Sequence, residues 1–156
     1  MERTLIILKP DSLQRGLAGR IITRFEEKGF QFAALKLMRV SRELAEKHYA
    51  VHKEKSFYPR LIEYITSSPV VVAVLQGNNA IAVSRKMMGA TFGSKAEPGT
   101  IRGDFGMSNS FNLIHGSDSP EAAQFEIGLY FRPDELLAYE RASERWIYDM
   151  SGGEPE

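Results

Sequence analysis

An α+β fold built on a four-stranded antiparallel sheet is the architecture this sequence predicts, and three observations carry the prediction. Short apolar segments end at turn-forming residues, amphipathic helical stretches separate them, and no repeat or linker interrupts the chain. At 156 residues the chain has room for one well-filled core and not for a second domain. Residues 1–150 are therefore expected to form a single domain.

Thr4 to Lys9 is a short apolar run closed by Pro10-Asp11, the pattern of a buried strand entering a turn. From Gly19 to Phe30, Ile21, Ile22 and Phe25 segregate from Arg24, Glu26, Glu27 and Lys28 at helical spacing, and Gly29 offers a C-terminal cap. Phe30 to Val40 alternates, with Phe32, Ala34 and Lys36 on one side and Ala33, Leu35 and Leu37 on the other, which predicts a second strand. Ser41 can cap the helix that follows. Arg42 to Val51 and Pro59 to Thr66 predict a helical pair, joined by an exposed connection from Lys53 to Phe57. Val70 to Leu75 is β-branched, apolar and closed by Gly77-Asn78, as a central strand is. Ala80 to Met88 predicts a helix ending at Gly89.

Ala90 to Phe111 holds Gly93, Pro98, Gly99, Gly103 and Gly106 with little periodicity, and a loop that long in a small domain is expected to be functional. Asn112 to His115 gives a fourth, short strand. Ser119-Pro120-Glu121 then opens a helix reaching about Phe131, with a cap residue, a first-turn proline and an early acid in order. Pro133 to Tyr139 adds a helical turn or two, and residues 151–156 have nothing to bury and predict a loose tail. The order of elements fits a ferredoxin-like βαββαβ sheet with helices on one face.

Composition narrows the function. Twenty Lys plus Arg balance twenty Asp plus Glu, and the sequence pI is about 6.9. No global basic field exists to hold nucleic acid, so any anion site must be local. The absence of cysteine excludes a disulfide scaffold, a thiolate nucleophile and a Cys-ligated zinc, and suits a reducing compartment. Leu5 to Leu8 is too short for a signal-peptide core, and no segment approaches the roughly 18 apolar residues of a membrane span. A cytoplasmic protein with no membrane partner is expected.

His48 and His52 stand four apart, but Tyr49-Ala50-Val51 between them lacks the glutamate of a zinc protease motif and no third ligand is evident, so a plain helix face is expected. His115 differs, because it ends an apolar strand and is followed by Gly116-Ser117-Asp118, where the chain must turn. A rigid element would then project the imidazole, with Ser117, Asp118 and Glu126 available to fix the ring. A hydrogen-bonded structural histidine is the competing reading. Thr91, Lys95, Thr100 and Arg102 place phosphate-compatible donors among the loop glycines, and Lys9 and Arg85 add positive charge. Gly89 to Lys95 is one residue short of a phosphate-binding P-loop and ends a helix instead of starting one. Asp104-Phe105-Gly106 copies a protein-kinase triplet without its companions.

Asn112-Leu113-Ile114-His115-Gly116-Ser117-Asp118 resembles the active-site signature of nucleoside diphosphate kinases. Lys9-Pro10-Asp11, Gln14-Arg15-Gly16-Leu17, His48-Tyr49, Pro98 through Phe105, Glu126-Ile127-Gly128-Leu129 and Trp146-Ile147-Tyr148 are similar to that family in order and spacing. Two departures stand out: Asn109-Ser110-Phe111 before the signature, and Ser12 in place of a frequent glycine.

The resemblance implies transfer of the terminal phosphoryl group of a nucleoside triphosphate to a nucleoside diphosphate, by ping-pong kinetics through a phosphohistidine at His115. It implies that Glu126 holds His115 with Ser117 nearby, and that Tyr49 lines the site beside the nucleophile. Lys9, Arg85, Thr91 and Arg102 would contact phosphates, Lys9 and Asn112 would reach the sugar 3′-hydroxyl, and Phe57 and Leu61 would pack on the base. Mg²⁺ would arrive on the nucleotide phosphates, with no protein metal ligand. A homo-oligomer, hexamer or tetramer, is implied. The competing function from another class is a ferredoxin-like module that senses nucleotides or binds DNA without turnover.

Overall fold

The computed structural model describes residues 1–156. Strands β1 (Glu2–Leu8), β2 (Gln31–Met38), β3 (Val70–Gly77) and β4 (Ile114–Gly116) form one sheet in the order β2-β3-β1-β4, every neighbour antiparallel. Helices α1 (Pro10–Gln14), α2 (Ala18–Lys28), α3 (Arg42–His48), α4 (Tyr58–Thr66), α5 (Ala80–Met88), α6 (Ile101–Phe105) and α7 (Pro120–Tyr130) lie between and after the strands. This is the ferredoxin-like α+β arrangement.

The sheet is covered on both faces, not one. Leu5, Ile6, Ile7 and Leu8 of β1 are all buried, and alternate residues enter different cores. Leu5 and Ile7 pack with Ala45 of α3, Ile62 and Ile65 of α4 and Tyr130 of α7. Ile6 and Leu8 pack with Ile21 and Phe25 of α2 and with Ala80 and Met88 of α5. A strand apolar on both sides needs two covers, since each such side chain contributes roughly 1.5–3 kcal/mol when removed from water. The unbroken run Leu5-Ile6-Ile7-Leu8 already carries that requirement.

Other boundaries shift for local reasons. β2 has an irregular register between Phe32 and Ala34, so Ala33 and Ala34 are both buried in one core and the strict alternation fails. Beyond it Leu35 and Leu37 are exposed on the outer strand. The helix expected to reach Val51 stops at His48, and a short 3₁₀ turn covers Ala50–His52. Pro10 at a first-turn position starts α1, where the sequence predicts a turn. The long loop holds a 3₁₀ turn at Gly93–Lys95 and α6, whose Thr100 Oγ1 accepts from the Gly103 N–H at 3.0 Å. A Cβ on Gly103 would sit 1.8 Å from the Glu97 carbonyl oxygen, so only glycine lets that helix close on its approach. Ser41 and Ser119 cap α3 and α7 as expected, accepting from Leu44 N–H at 3.1 Å and Ala122 N–H at 3.0 Å. Near the C-terminus, Asn78 Nδ2 donates to the Pro155 carbonyl. No helix is long and apolar enough to cross a membrane.

Candidate active site

β4 has only three residues, and its pairing aims the site. His115 lies opposite Ile7, and directly opposed residues of an antiparallel pair share a face. The imidazole therefore points to the side covered by α3, α4 and α7. α7 sends Glu126 and, one turn later, Tyr130 inward, while His48 and Tyr49 end α3. Glu126 Oε1 accepts from His115 Nε2. The same oxygen lies 2.7 Å from His48 Nε2, and His48 Nδ1 lies 2.8 Å from the Tyr130 hydroxyl. Tyr49 stacks on the His48 ring at a centroid distance of 4.2 Å and stands edge-on to His115 at 6.1 Å. Its hydroxyl is buried without a partner.

Two opposed effects set the charge state. Burial lowers the His115 pKa to about 4, against the pull of its hydrogen bond to Glu126 and with help from neighbouring His48. The ring is neutral at physiological pH. Burial alone would raise the Glu126 carboxyl, but the hydrogen bonds from His115 and His48 outweigh it and hold the group well below the usual carboxylate range. An ionised carboxylate thus faces a neutral imidazole, whose proton must lie on Nε2. Nδ1 keeps its lone pair.

Cations surround the same strand end. Lys9 Nζ donates to Asn112 Oδ1 at 2.8 Å, and Asn112 Nδ2 donates to the Thr91 carbonyl at 3.0 Å. Arg102 is buried and spends its guanidinium on three backbone carbonyls, those of Asn112 at 3.1 Å, Gly89 at 3.0 Å and Ile114 at 2.6 Å. Arg85 Nη1 donates to the Gly116 carbonyl at 2.9 Å. Burial, reinforced by Arg102, lowers the Lys9 pKa to about 8 although Asp11 opposes it. Burial and Arg85 together lower Arg102 to about 10. Cations crowded and desolvated in this way are better placed with an anion among them.

The segment leading into His115 is strained. Leu113 has φ +72°, and the Ile114 N–H returns to the Asn112 carbonyl at 2.8 Å, which makes a three-residue turn of the rarer kind. The start of α1 clamps it: the Leu113 carbonyl accepts from the Lys9 N–H at 2.8 Å and the Ser12 hydroxyl at 2.5 Å, and the Leu113 N–H donates to Asp11 Oδ2 at 3.1 Å. Tyr64 donates to the other Asp11 oxygen.

His115, Glu126, Tyr49, Lys9, Asn112, Arg85, Arg102 and the Thr91 backbone thus converge. Ser117 does not turn to the ring: its buried oxygen accepts from the Leu5 N–H at 3.3 Å, and it ties β4 to β1. Phe57 is half-exposed and tilts against His52 at 5.4 Å, while Leu61 packs partly into the core. In the sequence His48 reads as a helix-face histidine spaced four from His52 and as half of a His48-Tyr49 pair similar to the family, with no role of its own. Its partners are instead His115 and Glu126, and three ligand-type atoms of this trio lie within 4.8 Å of one another. Two of those contacts are hydrogen bonds to a single carboxylate oxygen, which accounts for the cluster without an ion.

A neutral, carboxylate-held imidazole with one free nitrogen, set among buried cations, is equipped to carry a phosphoryl group. The family model described as nucleoside diphosphate kinase matches residues 2–136. The nucleoside diphosphate kinase of Thermomicrobium roseum is 59% identical over 147 residues, covering 94% of this chain and 99% of that protein. That of Archaeoglobus fulgidus is 52% identical over 149 residues, covering 96% and 99%. A solved structure of the halophilic enzyme from Halobacterium salinarum, in complex with CDP, superposes with a TM-score of 0.93 at 47% identity, covering 95% of this chain and 99% of that one. The chain belongs to the nucleoside diphosphate kinase family. It is a kinase that moves the terminal phosphate of a nucleoside triphosphate to a nucleoside diphosphate, and the reading as a module without turnover is not favoured.

Proposed function

We propose that the transfer runs by a ping-pong route through a phosphohistidine on Nδ1 of His115. The observation that carries this is the Glu126 contact, which occupies Nε2 and leaves Nδ1 as the free nucleophile. In the first half-reaction the Nδ1 lone pair attacks the γ-phosphorus, a P–N bond forms, and the bridging P–O bond to the β-phosphate breaks with its electrons leaving on the nucleoside diphosphate. In the second, a terminal β-phosphate oxygen of the acceptor attacks the same phosphorus and the N–P bond electrons return to Nδ1. The Nε2 proton stays in place, and the Glu126 carboxylate balances the positive charge that develops on the ring.

Phosphoryl transfer has a loose transition state, so positioning and charge dominate. Lys9, Arg85, Arg102 and Thr91 serve the phosphates, Lys9 and Asn112 the sugar hydroxyl, Phe57 and Leu61 the base, and Tyr49 the wall beside the nucleophile. Ser117 acts at one remove, through the β1–β4 seam. Glu126, the carboxylate beside His115, is already hydrogen-bonded to two rings, which favours Mg²⁺ entering as part of the nucleotide substrate, held by phosphate oxygens and water. Two exposed leucines on the outer strand β2 support a homo-oligomer, tetramer or hexamer. Zero cysteines and a balanced charge fit a cytoplasmic protein that does not bind nucleic acid.

Intact-mass analysis after brief exposure to Mg·ATP, kept alkaline, tests the core of this reading. Wild type is expected to gain one acid-labile phosphoryl group and discharge it to GDP as GTP, and His115→Ala to bind ATP without labelling. An unlabelled wild type that makes no GTP would overturn it.

A further inference from the structure

We infer that Tyr130 and His48 form a positioning relay behind Glu126, which fixes His48 as its Nε2–H tautomer and keeps Glu126 an ionised acceptor of two N–H groups. The inference rests on the phosphohistidine reading of His115.

Glu126 Oε1 faces two ring nitrogens, His115 Nε2 and His48 Nε2. An ionised carboxylate only accepts, so both nitrogens must carry hydrogen. In a neutral His48 the other nitrogen, Nδ1, then holds a lone pair, and the Tyr130 hydroxyl 2.8 Å away must donate to it. Were the phenol the acceptor, His48 would be a full imidazolium with a side chain only 3% exposed. Burial keeps Tyr130 in its O–H form by pushing the phenol pKa up. Glu126 and Tyr130 stand four apart on α7 and so share a face, which lets one helix turn offer an acceptor and a donor to the two edges of a single imidazole.

The titratable groups facing His48 are Glu126 and Tyr130 from α7, His115 from β4, and Tyr49 and His52 from its own turn. Removing the Tyr130 hydroxyl strands a buried lone pair at Nδ1. Nothing on that edge then holds the hydrogen on Nε2, and the ring can change tautomer or turn. A His48 that turns a lone pair toward Glu126, or turns away from it, no longer shares the carboxylate, and the support that Glu126 gives His115 shifts with it. Neither Tyr130 nor His48 is needed to hold the nucleotide, so the loss belongs in the chemical step.

The experiment combines ¹⁵N NMR of the histidine rings with rapid-quench measurement of phosphoenzyme formation, on wild type, Tyr130→Phe, His48→Gln and His48→Ala, from pH 6 to 9. The neutral wild-type His48 ring is expected to carry its hydrogen on Nε2. Tyr130→Phe is expected to lose that single-tautomer signature and to form phosphoenzyme on the order of tenfold more slowly, the lower end of what an outer hydrogen-bond partner is worth at metal sites. KM for Mg·ATP stays nearly unchanged. His48→Gln, whose amide can still donate to Glu126, retains more activity than His48→Ala. The relay is overturned if wild-type His48 carries its proton on Nδ1, or if Tyr130→Phe keeps the wild-type tautomer and rate. A wild type that never becomes phosphorylated overturns the His115 reading instead, and the ring spectra still decide the relay.

Discussion

Burial and one carboxylate pull the His115 ring in opposite directions, and burial wins. Because its folded pKa lies near 4 and the unfolded value near 6.5, the unfolded chain takes the proton first as pH falls. Stability linked to this ring is fully present above about 6.5 and is lost on going down toward 4. The depressed Glu126 carboxyl adds a further loss below the ordinary carboxylate range. Urea midpoints are therefore expected to decline between pH 6.5 and 4, and less steeply in His115→Gln. The rate has the same origin: kcat/KM should show an acid limb well below 6.5 and an alkaline limb near 8, where Lys9 loses its charge. A profile with its acid inflection at 6.5 would mean that the ring is solvated. Ser12 gives a second case. Its fully buried hydroxyl holds the carbonyl of strained Leu113, so Ser12→Ala is expected to lower stability by about 1 kcal/mol in denaturant titration, and to slow phosphoenzyme formation more than it raises KM. Sequence alone marked Ser12 as a departure from a glycine that cost no catalytic group, and only the positive φ of Leu113, a long way off in the chain, gives the hydroxyl its task.

Helix α7 and the loop before β4 divide what the sequence made legible from what it did not. Ser119-Pro120-Glu121 announced the start of α7 because a cap, a proline and an early acid act within one turn. Ser119→Ala should cost about 1 kcal/mol in thermal or chemical unfolding and disturb the placement of Glu126 two turns later. β3 and α5 were equally legible, since turn residues bracket an apolar run and a helical period. α6 was not: five residues give too short a period to detect, and its cap and its Gly103 contact depend on Glu97. The alternation of β2 misled because one irregular register reverses the faces that follow it. His115, Glu126 and the cations were legible through motif and spacing, whereas His48 was weighed with the wrong partner, because helical spacing shows neighbours along a helix and says nothing of the strand that docks against it.

At the scale of the whole molecule, β2 stands at the outer side of the sheet with Leu35 and Leu37 exposed, 51% and 66%. Apolar side chains on a strand with one unpaired edge invite association. Leu35→Lys with Leu37→Lys is expected to shift light-scattering mass toward the monomer, and an unchanged mass would place the self-contact elsewhere. The two faces of the sheet could have been read from β1 alone, but which helices cover which face depends on strand order, and the periodicity of single segments does not contain it. Strand order also sets a schedule. β2, β3 and β1 are complete once residue 77 has been made, while the nucleophile and its carboxylate come on β4 and α7 near the far end of synthesis. Lys9 finds Asn112 across 103 residues, and His48 finds Glu126 across 78. Contacts so distant along the chain close late. A nascent chain can therefore hold most of its sheet while still chemically silent, and competence for phosphoryl transfer arrives only when its last quarter docks.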